Sequence, residues 1–244
     1  MVSRTGTDLF GAQRADLAAL ADMARLRSLA PREGVDFASN DYLGLANSPR
    51  LRSAVAEAVA RGVPVGSGGS RLLRGNHPEH EALEGEAAAF FGSEAALWFA
   101  TGYAANSALI STLPQRGDLI VYDELIHASV HEGLRLARAE AVAAPHNDPD
   151  AFADLIAGWR ERGGKGRAWI AVESLYSMDG DFAPLRALAE VAERQEAILV
   201  VDEAHATGVF GEDGKGLAAE LRPAPNLITL HTCGKGLGCE GALL

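Results

Sequence analysis

Lys235 is the side chain whose setting best suits covalent chemistry. It lies in the segment Cys233-Gly234-Lys235-Gly236, where glycines on both sides leave the amino group unobstructed. The segment is not a Walker phosphate loop, because the glycine required five residues before the Gly-Lys pair is absent and Gly236 stands where Ser or Thr should follow. The lysine is therefore predicted to act as a covalent or basic group.

Further polar side chains follow apolar runs that are predicted to be strands. Asp202 and His205 follow the run 198–201, Ser177 follows 168–173, and His127 follows 119–122. The run 95–99 leads into Thr101-Gly102-Tyr103, a turn that opens a helix with free N–H groups suited to a phosphate. A partly buried carboxylate such as Asp202 needs a cationic partner. These groups are predicted to meet Lys235 at one rim.

Together, these residue types satisfy the needs of pyridoxal 5'-phosphate (PLP). The lysine forms an imine, the aspartate keeps the ring nitrogen protonated, a histidine stacks on the ring, and hydroxyls with N–H groups hold the phosphate. A hydrolytic triad of Ser177, His205 and Asp202 is the alternative, but the sequence has no GxSxG elbow and the triad leaves Lys235 unexplained. A zinc site at His127 and His131 is disfavoured because the Glu of HExxH is missing, so no metal is predicted.

Alternating elements must position these groups. Apolar periodicity predicts helices over 17–29, 51–60, 79–91, 103–113, 127–137, 149–159 and 185–195. Short β-like runs lie between the later helices, ending with 227–230. This order predicts an α/β fold with a mostly parallel sheet, helices on both faces and ligands at the carboxyl ends of the strands. We assign residues 1–46 to an N-terminal helical segment with a substrate-side loop, and 47–244 to the cofactor-binding large domain.

Composition excludes several classes of protein. Of 244 residues, 48% are hydrophobic and 23% charged, which is unlike a disordered chain. The net charge of −11 (22 basic against 33 acidic residues) opposes binding to nucleic acid. No apolar run is long enough to span a membrane, and the start lacks a secretory leader. Two cysteines without CxxC spacing fit a reducing compartment, so a cytoplasmic location is predicted.

Seven motifs in order resemble a known family. They are FASNDYLGL, GSGGSRLLRGNHPEHEALE, ATGYAAN, HASVHEG, VESLYSMDGDFAPL, VDEAHATGVFGEDGKG and TCGKGLG. The chain resembles the α-oxoamine synthases, which are fold-type-I PLP-dependent transferases, and within them it is most similar to the 8-amino-7-oxononanoate synthases of biotin synthesis. The likeness runs from about Arg27 to the last residue.

The resemblance implies a role for each matching position. Lys235 would be the Schiff-base lysine, Asp202 would pair with the ring nitrogen, His205 would contact the phenolic oxygen and His127 would stack on the ring. Ser177, Thr232 and the backbone of Gly102 and Tyr103 would hold the cofactor. Asn40, with His127, would help to bind substrate. Glu173 is a weaker candidate for the same pocket, and Arg27 is a candidate partner of the acyl substrate's carboxylate.

The reaction implied is a decarboxylative condensation of L-alanine with pimeloyl-CoA or pimeloyl-acyl carrier protein. Glycine C-acetyltransferase, 5-aminolevulinate synthase and serine palmitoyltransferase share the lysine, aspartate and histidine, so these remain alternatives. Members of the family are homodimers and about half as long again, which makes the chain a fragment without a C-terminal small domain by this interpretation. The alternative is a shortened, non-catalytic relative that binds a partner. Low solubility of the isolated chain is expected.

Overall fold

The computed structural model describes residues 8–244. Contacts divide the chain into two compact units, one that ends at Ser39 and one formed by Asn40–Leu244. Every predicted site residue except Arg27 lies in the second unit. The roles assigned to 1–46 and 47–244 stay predictions.

Helix α1 (Gly11–Asp22) lies in the first unit and begins and ends earlier than the sequence pattern predicted. The helix stops because Ala24 adopts the left-handed backbone conformation, with φ of 54°. The N–H of Arg25 then turns back to the carbonyl of Leu20 at 2.8 Å, which closes the helix end. The predicted helical range 17–29 is therefore wrong beyond Asp22.

The second unit is built around one seven-stranded sheet. Its strands are β1 (Trp98–Phe99), β2 (Leu119–Asp123), β3 (Glu140–Ala144), β4 (Ala168–Glu173), β5 (Ile198–Asp202), β6 (Leu227–Thr232) and β7 (Ala242–Leu243). Their order across the sheet is β1-β7-β6-β5-β4-β2-β3, and β7 runs antiparallel to both of its neighbours. The other neighbouring pairs are parallel, so the predicted mostly parallel sheet is confirmed.

The helices of the second unit are α2 (Pro49–Ala60), α3 (Pro78–Phe91), α4 (Gly102–Thr112), α5 (Ala128–Leu136), α6 (Pro149–Glu161) and α7 (Leu185–Arg194). Helices α4 to α7 each follow one of the strands β1 to β4, and the local sequence determines where several of the helices start. Ser48, Thr101 and Asp148 cap α2, α4 and α6 by accepting a backbone N–H in the first turn. Within residues 8–244, no helix combines the length and apolar character needed to cross a membrane.

Successive side chains along each strand point to opposite faces of the sheet and pack into two separate hydrophobic cores. On one face, Val121, Ile170 and Val201 pack with residues of α6 and α7. On the other face, Ile120 and Val200 pack with residues of α4 and α5. The sheet is therefore covered on both sides, and the parallel strands deliver their carboxyl ends to a common edge.

Candidate active site

Lys235 and His205 meet at this edge of the sheet. The Lys235 Nζ lies 2.9 Å from the His205 Nε2, and the other ring nitrogen of His205 lies 2.6 Å from the Tyr42 hydroxyl. That hydroxyl is also 3.2 Å from the Asn40 Oδ1. The four side chains form one continuous hydrogen-bonded row.

The Tyr42 hydroxyl gives the row its direction, because it donates to the Asn40 Oδ1. The Tyr42 oxygen then accepts from the His205 Nδ1–H, which leaves the Nε2 of the neutral ring to accept from Lys235. Burial lowers the pKa of Lys235 against the opposing pull of Asp202 and Glu173. Burial, with Lys235 and His127 nearby, lowers the pKa of His205 to about 4, so the imidazole is neutral.

Asp202 is the buried carboxylate at the end of β5. Its Oδ1 accepts from the backbone N–H of Ala204 at 2.9 Å, and its Oδ2 accepts from the Asn106 Nδ2 at 2.7 Å. Two donors therefore fix the orientation of the carboxylate, which remains able to accept a further proton donor. The charge of Asp202 raises the pKa of both Lys235 and His127, against the opposite effect of burial.

Asn106 connects Asp202 to His127 through Ser129. The Asn106 Nδ2 lies 3.0 Å from the Ser129 Oγ, which lies 2.7 Å from the His127 Nδ1. The backbone N–H of Ser129 also donates to this Nδ1, at 3.2 Å. The Nδ1 is therefore an acceptor and the neutral imidazole carries its proton on Nε2. Burial lowers the pKa of His127, which favours that neutral form.

Glu173 is a second buried carboxyl at the same edge. It ends β4 directly beside Asp202 in the strand register and is 3% exposed. Burial and the charge of Asp202 raise its pKa to about 8, although Lys235 and the backbone N–H groups of Ser177 and His127 oppose the rise. The raised pKa favours the protonated, uncharged form of Glu173.

The start of α4 lies against the end of β6. A Cβ at Gly102 would come within 3.2 Å of the Thr232 Oγ1, so this close approach favours glycine. Thr101 satisfies the N–H of Ala104 by its side chain, which leaves the N–H groups of Gly102 and Tyr103 pointing out of the helix. The Tyr103 ring meets His127 edge-on at 6.3 Å. The predicted phosphate turn is thus next to Thr232.

Two of the remaining predicted residues, Ser177 and Arg27, are exposed to solvent. Ser177 is exposed, at the tip of a hairpin closed by the Leu175–Phe182 bridge. Arg27 is exposed in the first unit, and its role stays a prediction. The structure does not assemble the alternative hydrolytic triad, because Tyr42 and Lys235 occupy both ring nitrogens of His205.

Sequence reasoning missed three residues that orient the site. Tyr42 and Asn106 lie in the quoted motifs FASNDYLGL and ATGYAAN, but their types alone gave no role. Glu203 is fully buried and accepts from the Ser174 hydroxyl at 2.9 Å and from the N–H of Leu217 at 3.0 Å. It ties the loop after His205 to β4, whereas only its neighbour Asp202 was singled out.

Comparison with known families decides the class of the protein. The model of the aminotransferase class I and II family matches residues 32–244. The chain belongs to this aminotransferase class I and II family. The match includes every predicted site residue apart from Arg27, and the fold is that of a fold-type-I PLP-dependent transferase.

Similar proteins narrow the position of the chain within the aminotransferase class I and II family. The 8-amino-7-oxononanoate synthase of Geobacter sulfurreducens is 48% identical over 212 residues, which cover 86% of this chain and 53% of the relative. A solved 8-amino-7-oxononanoate synthase from Francisella tularensis has a TM-score of 0.70 at 30% identity, covering 86% of this chain and 57% of that one. A PLP-bound serine palmitoyltransferase variant from S. paucimobilis has a TM-score of 0.84 at 28% identity, covering 97% and 63%. The chain thus spans little more than half the length of the curated relative.

Proposed function

We propose that this chain carries the cofactor-binding part of an 8-amino-7-oxononanoate synthase. The reaction is the PLP-dependent condensation of L-alanine with pimeloyl-CoA or pimeloyl-acyl carrier protein, with loss of carbon dioxide. The observation that carries the proposal is the placement of Lys235 beside His205 and Asp202, in a chain 48% identical to a curated synthase of this name. A cytoplasmic location and a homodimer belong to the same proposal.

The residues present fit PLP. Asp202 is held by two N–H donors and keeps acceptor capacity for a protonated ring nitrogen. The outward N–H groups of Gly102 and Tyr103 lie next to the Thr232 hydroxyl. Together these groups could donate hydrogen bonds to a phosphate. Lys235 is half-buried with a lowered pKa, as covalent attachment requires.

Lys235 would move the proton, and His205 would orient Lys235. When bound, PLP supplies an electron sink for negative charge at the α-carbon of the amino acid. Lys235 would hold the cofactor through its Nζ and, once released, remove the α-proton. Its lowered pKa favours that neutral, basic form. His205 and Tyr42 would keep the Nζ oriented through the 2.9 Å and 2.6 Å contacts.

Other residues would orient the ligands. Asp202 would hold the ring nitrogen, and His127 would lie against the ring with its proton on Nε2. The hydroxyls of Ser177 and Thr232 would donate hydrogen bonds to the phosphate. The Asn40 Nδ2 would bind a substrate carboxylate, because its Oδ1 already accepts from Tyr42.

A serine palmitoyltransferase-type activity is the second candidate. Its support is the TM-score of 0.84 to the S. paucimobilis structure. Sequence identity favours the first candidate, since the G. sulfurreducens synthase is 48% identical against 28% for that structure.

The first experiment tests the cofactor site. The purified 244-residue chain is mixed with PLP, its absorbance recorded, and the adduct reduced with borohydride and mapped by peptide mass spectrometry. We expect an absorbance band at about 420 nm and one modified lysine, Lys235. Lys165→Ala and Lys215→Ala are matched controls that keep the adduct, while Lys235→Ala loses it. An adduct spread over the three lysines would contradict the site and support the non-catalytic alternative.

The second experiment tests the amino acid. The PLP-loaded chain is titrated with L-alanine, L-serine and glycine, and spectral change is followed, with D-alanine as the control. L-alanine is expected to give the change at the lowest concentration. Tightest binding of L-serine would instead support the palmitoyltransferase-type activity.

A further inference from the structure

His146 lies between two carboxylates, after the end of β3. Its Nδ1 is 2.8 Å from the Asp123 Oδ1, and its Nε2 is 2.8 Å from the Asp181 Oδ2. The Tyr176 ring meets the imidazole edge-on at 4.5 Å. None of these groups has a role in the proposed reaction.

The two contacts require a charged imidazole. A carboxylate only accepts hydrogen bonds, so both ring nitrogens must carry a proton to make both bonds. Burial alone would lower the pKa of His146, but the hydrogen bonds and charges of Asp123 and Asp181 outweigh burial and raise that pKa. Glu124 adds to the acidic surroundings, since its carboxylate accepts the backbone N–H of His146 at 3.0 Å.

The two carboxylates belong to different parts of the candidate site. Asp123 is fully buried and accepts the N–H of Leu125 at 2.9 Å, which shapes the turn that leads to His127. Asp181 lies on the hairpin 174–183, which carries Ser177 at its tip. His146 is therefore a bridge between the turn before His127 and the Ser177 hairpin.

Asn147 reinforces the same bridge. Its backbone N–H donates to the Asp123 Oδ2 at 2.9 Å, and its Nδ2 donates to the Asp181 Oδ2 at 2.9 Å. The Nδ2 also lies 3.1 Å from the His146 Nε2, because both atoms donate to the same carboxylate oxygen. The hairpin is thus tied to the sheet edge by two neighbouring residues.

We propose that His146 is a positioning residue whose charged form fastens the Ser177 hairpin to the turn before His127. When the ring loses one proton, one nitrogen is left with a lone pair that faces a carboxylate. One of the two hydrogen bonds, to Asp123 or to Asp181, is then lost. The stabilisation is complete below about pH 6.5, the ordinary titration point of histidine, and disappears as the pH rises through the higher pKa of the folded state. The groups that face the imidazole are Asp123, Glu124, Asp181 and Tyr176.

The test is amide hydrogen exchange of the 244-residue chain without cofactor, from about pH 6 to about pH 9, expressed as protection relative to intrinsic exchange. In the unmodified chain, protection of 174–183 is expected to fall roughly tenfold as His146 deprotonates. His146→Gln and Asp181→Asn are expected to show the low protection at every pH. The control is His131→Gln, because the ring of His131 contacts Tyr122 and not the hairpin carboxylate Asp181. This variant is expected to keep the pH-dependent loss of protection at 174–183.

The result that overturns the proposal is equally direct. If Asp181→Asn leaves the protection of 174–183 and its pH profile unchanged, the bridge does not hold the hairpin. A His146 titration by NMR with a midpoint below about 6.5 would also refute it. Because Asp181 is 43% exposed in its side chain, its substitution tests the bridge without emptying the core. The readout needs no PLP, so it stays informative if the proposed function fails.

Discussion

At the scale of single residues, the direction of hydrogen bonds decides which groups can act. Lys235, His205, Tyr42 and Asn40 satisfy one another only when each donates to the next in that order. A neutral His205 flanked by a donor and an acceptor cannot change its tautomer without disturbing both neighbours. The row therefore holds the Lys235 amino group in place before any ligand binds.

Removal of the Tyr42 hydroxyl tests this row. Tyr42→Phe leaves the His205 Nδ1–H without its partner, and we expect the free energy of unfolding to fall by about 1 kcal/mol. Urea denaturation without PLP measures the change. Tyr103→Phe is the matched control, because the Tyr103 side chain is half-exposed and contacts His127 through its ring. Equal losses in the two variants would contradict the row.

Substitution of Asn106 tests the link between Asp202 and His127. In the unmodified chain the Asn106 Nδ2 lies 2.7 Å from the Asp202 Oδ2. Asn106→Asp keeps the shape of the side chain but replaces this donor with a carboxyl oxygen that faces Asp202. We expect a loss of about 1–3 kcal/mol at neutral pH. The new carboxyl has a raised pKa in the folded state, so the loss shrinks as the pH falls through that pKa.

Asn106→Leu is the comparison variant, because it removes the same donors without adding a charge. Its loss is expected to stay nearly constant with pH in the same denaturation series. A flat pH profile for both variants would show that Asn106 acts through packing and not through its hydrogen bonds to Asp202 and Ser129.

At the scale of elements, β2, β4, β5 and β6 were predictable from their apolar runs, whereas the two-residue β7 was not predicted. The pattern placed Asp202 at the carboxyl edge of the sheet, and only the family resemblance singled out Glu173 and Thr232. The contact of Tyr42 with His205 could not be predicted, because it joins loops 163 residues apart. His146 was missed for the same reason, since its partners are 23 and 35 residues away.

The element α6 provides a test of the core beneath the site. Phe152 is fully buried against the sheet, so Phe152→Ala is expected to destabilise the chain by about 3–5 kcal/mol through lost burial and a residual cavity. Urea denaturation measures it. Leu136→Ala, at a position 62% exposed, is expected to change stability by less than about 0.5 kcal/mol. A small effect at Phe152 would mean that α6 does not stabilise the sheet.

At the scale of the whole molecule, charge and apolar surface act in opposite directions. The net charge of −11 opposes self-association, whereas large apolar side chains are exposed in the second unit. Val65, Leu72 and Leu73 are 96%, 95% and 84% exposed and lie close together in sequence. Large apolar side chains with this much exposure are common at interaction surfaces.

This surface gives the proposed homodimer a direct test. Leu72→Lys combined with Leu73→Lys adds two charges where a second copy of the chain would have to exclude water, so we expect the fraction of dimer to fall at least about tenfold. Sedimentation velocity over a range of concentrations measures it. Leu136→Lys, which also replaces an exposed leucine, should sediment like the unmodified chain. If the double variant keeps the dimer, these leucines are not part of the contact between the two copies. If the unmodified chain is already monomeric, the proposed homodimer itself is contradicted.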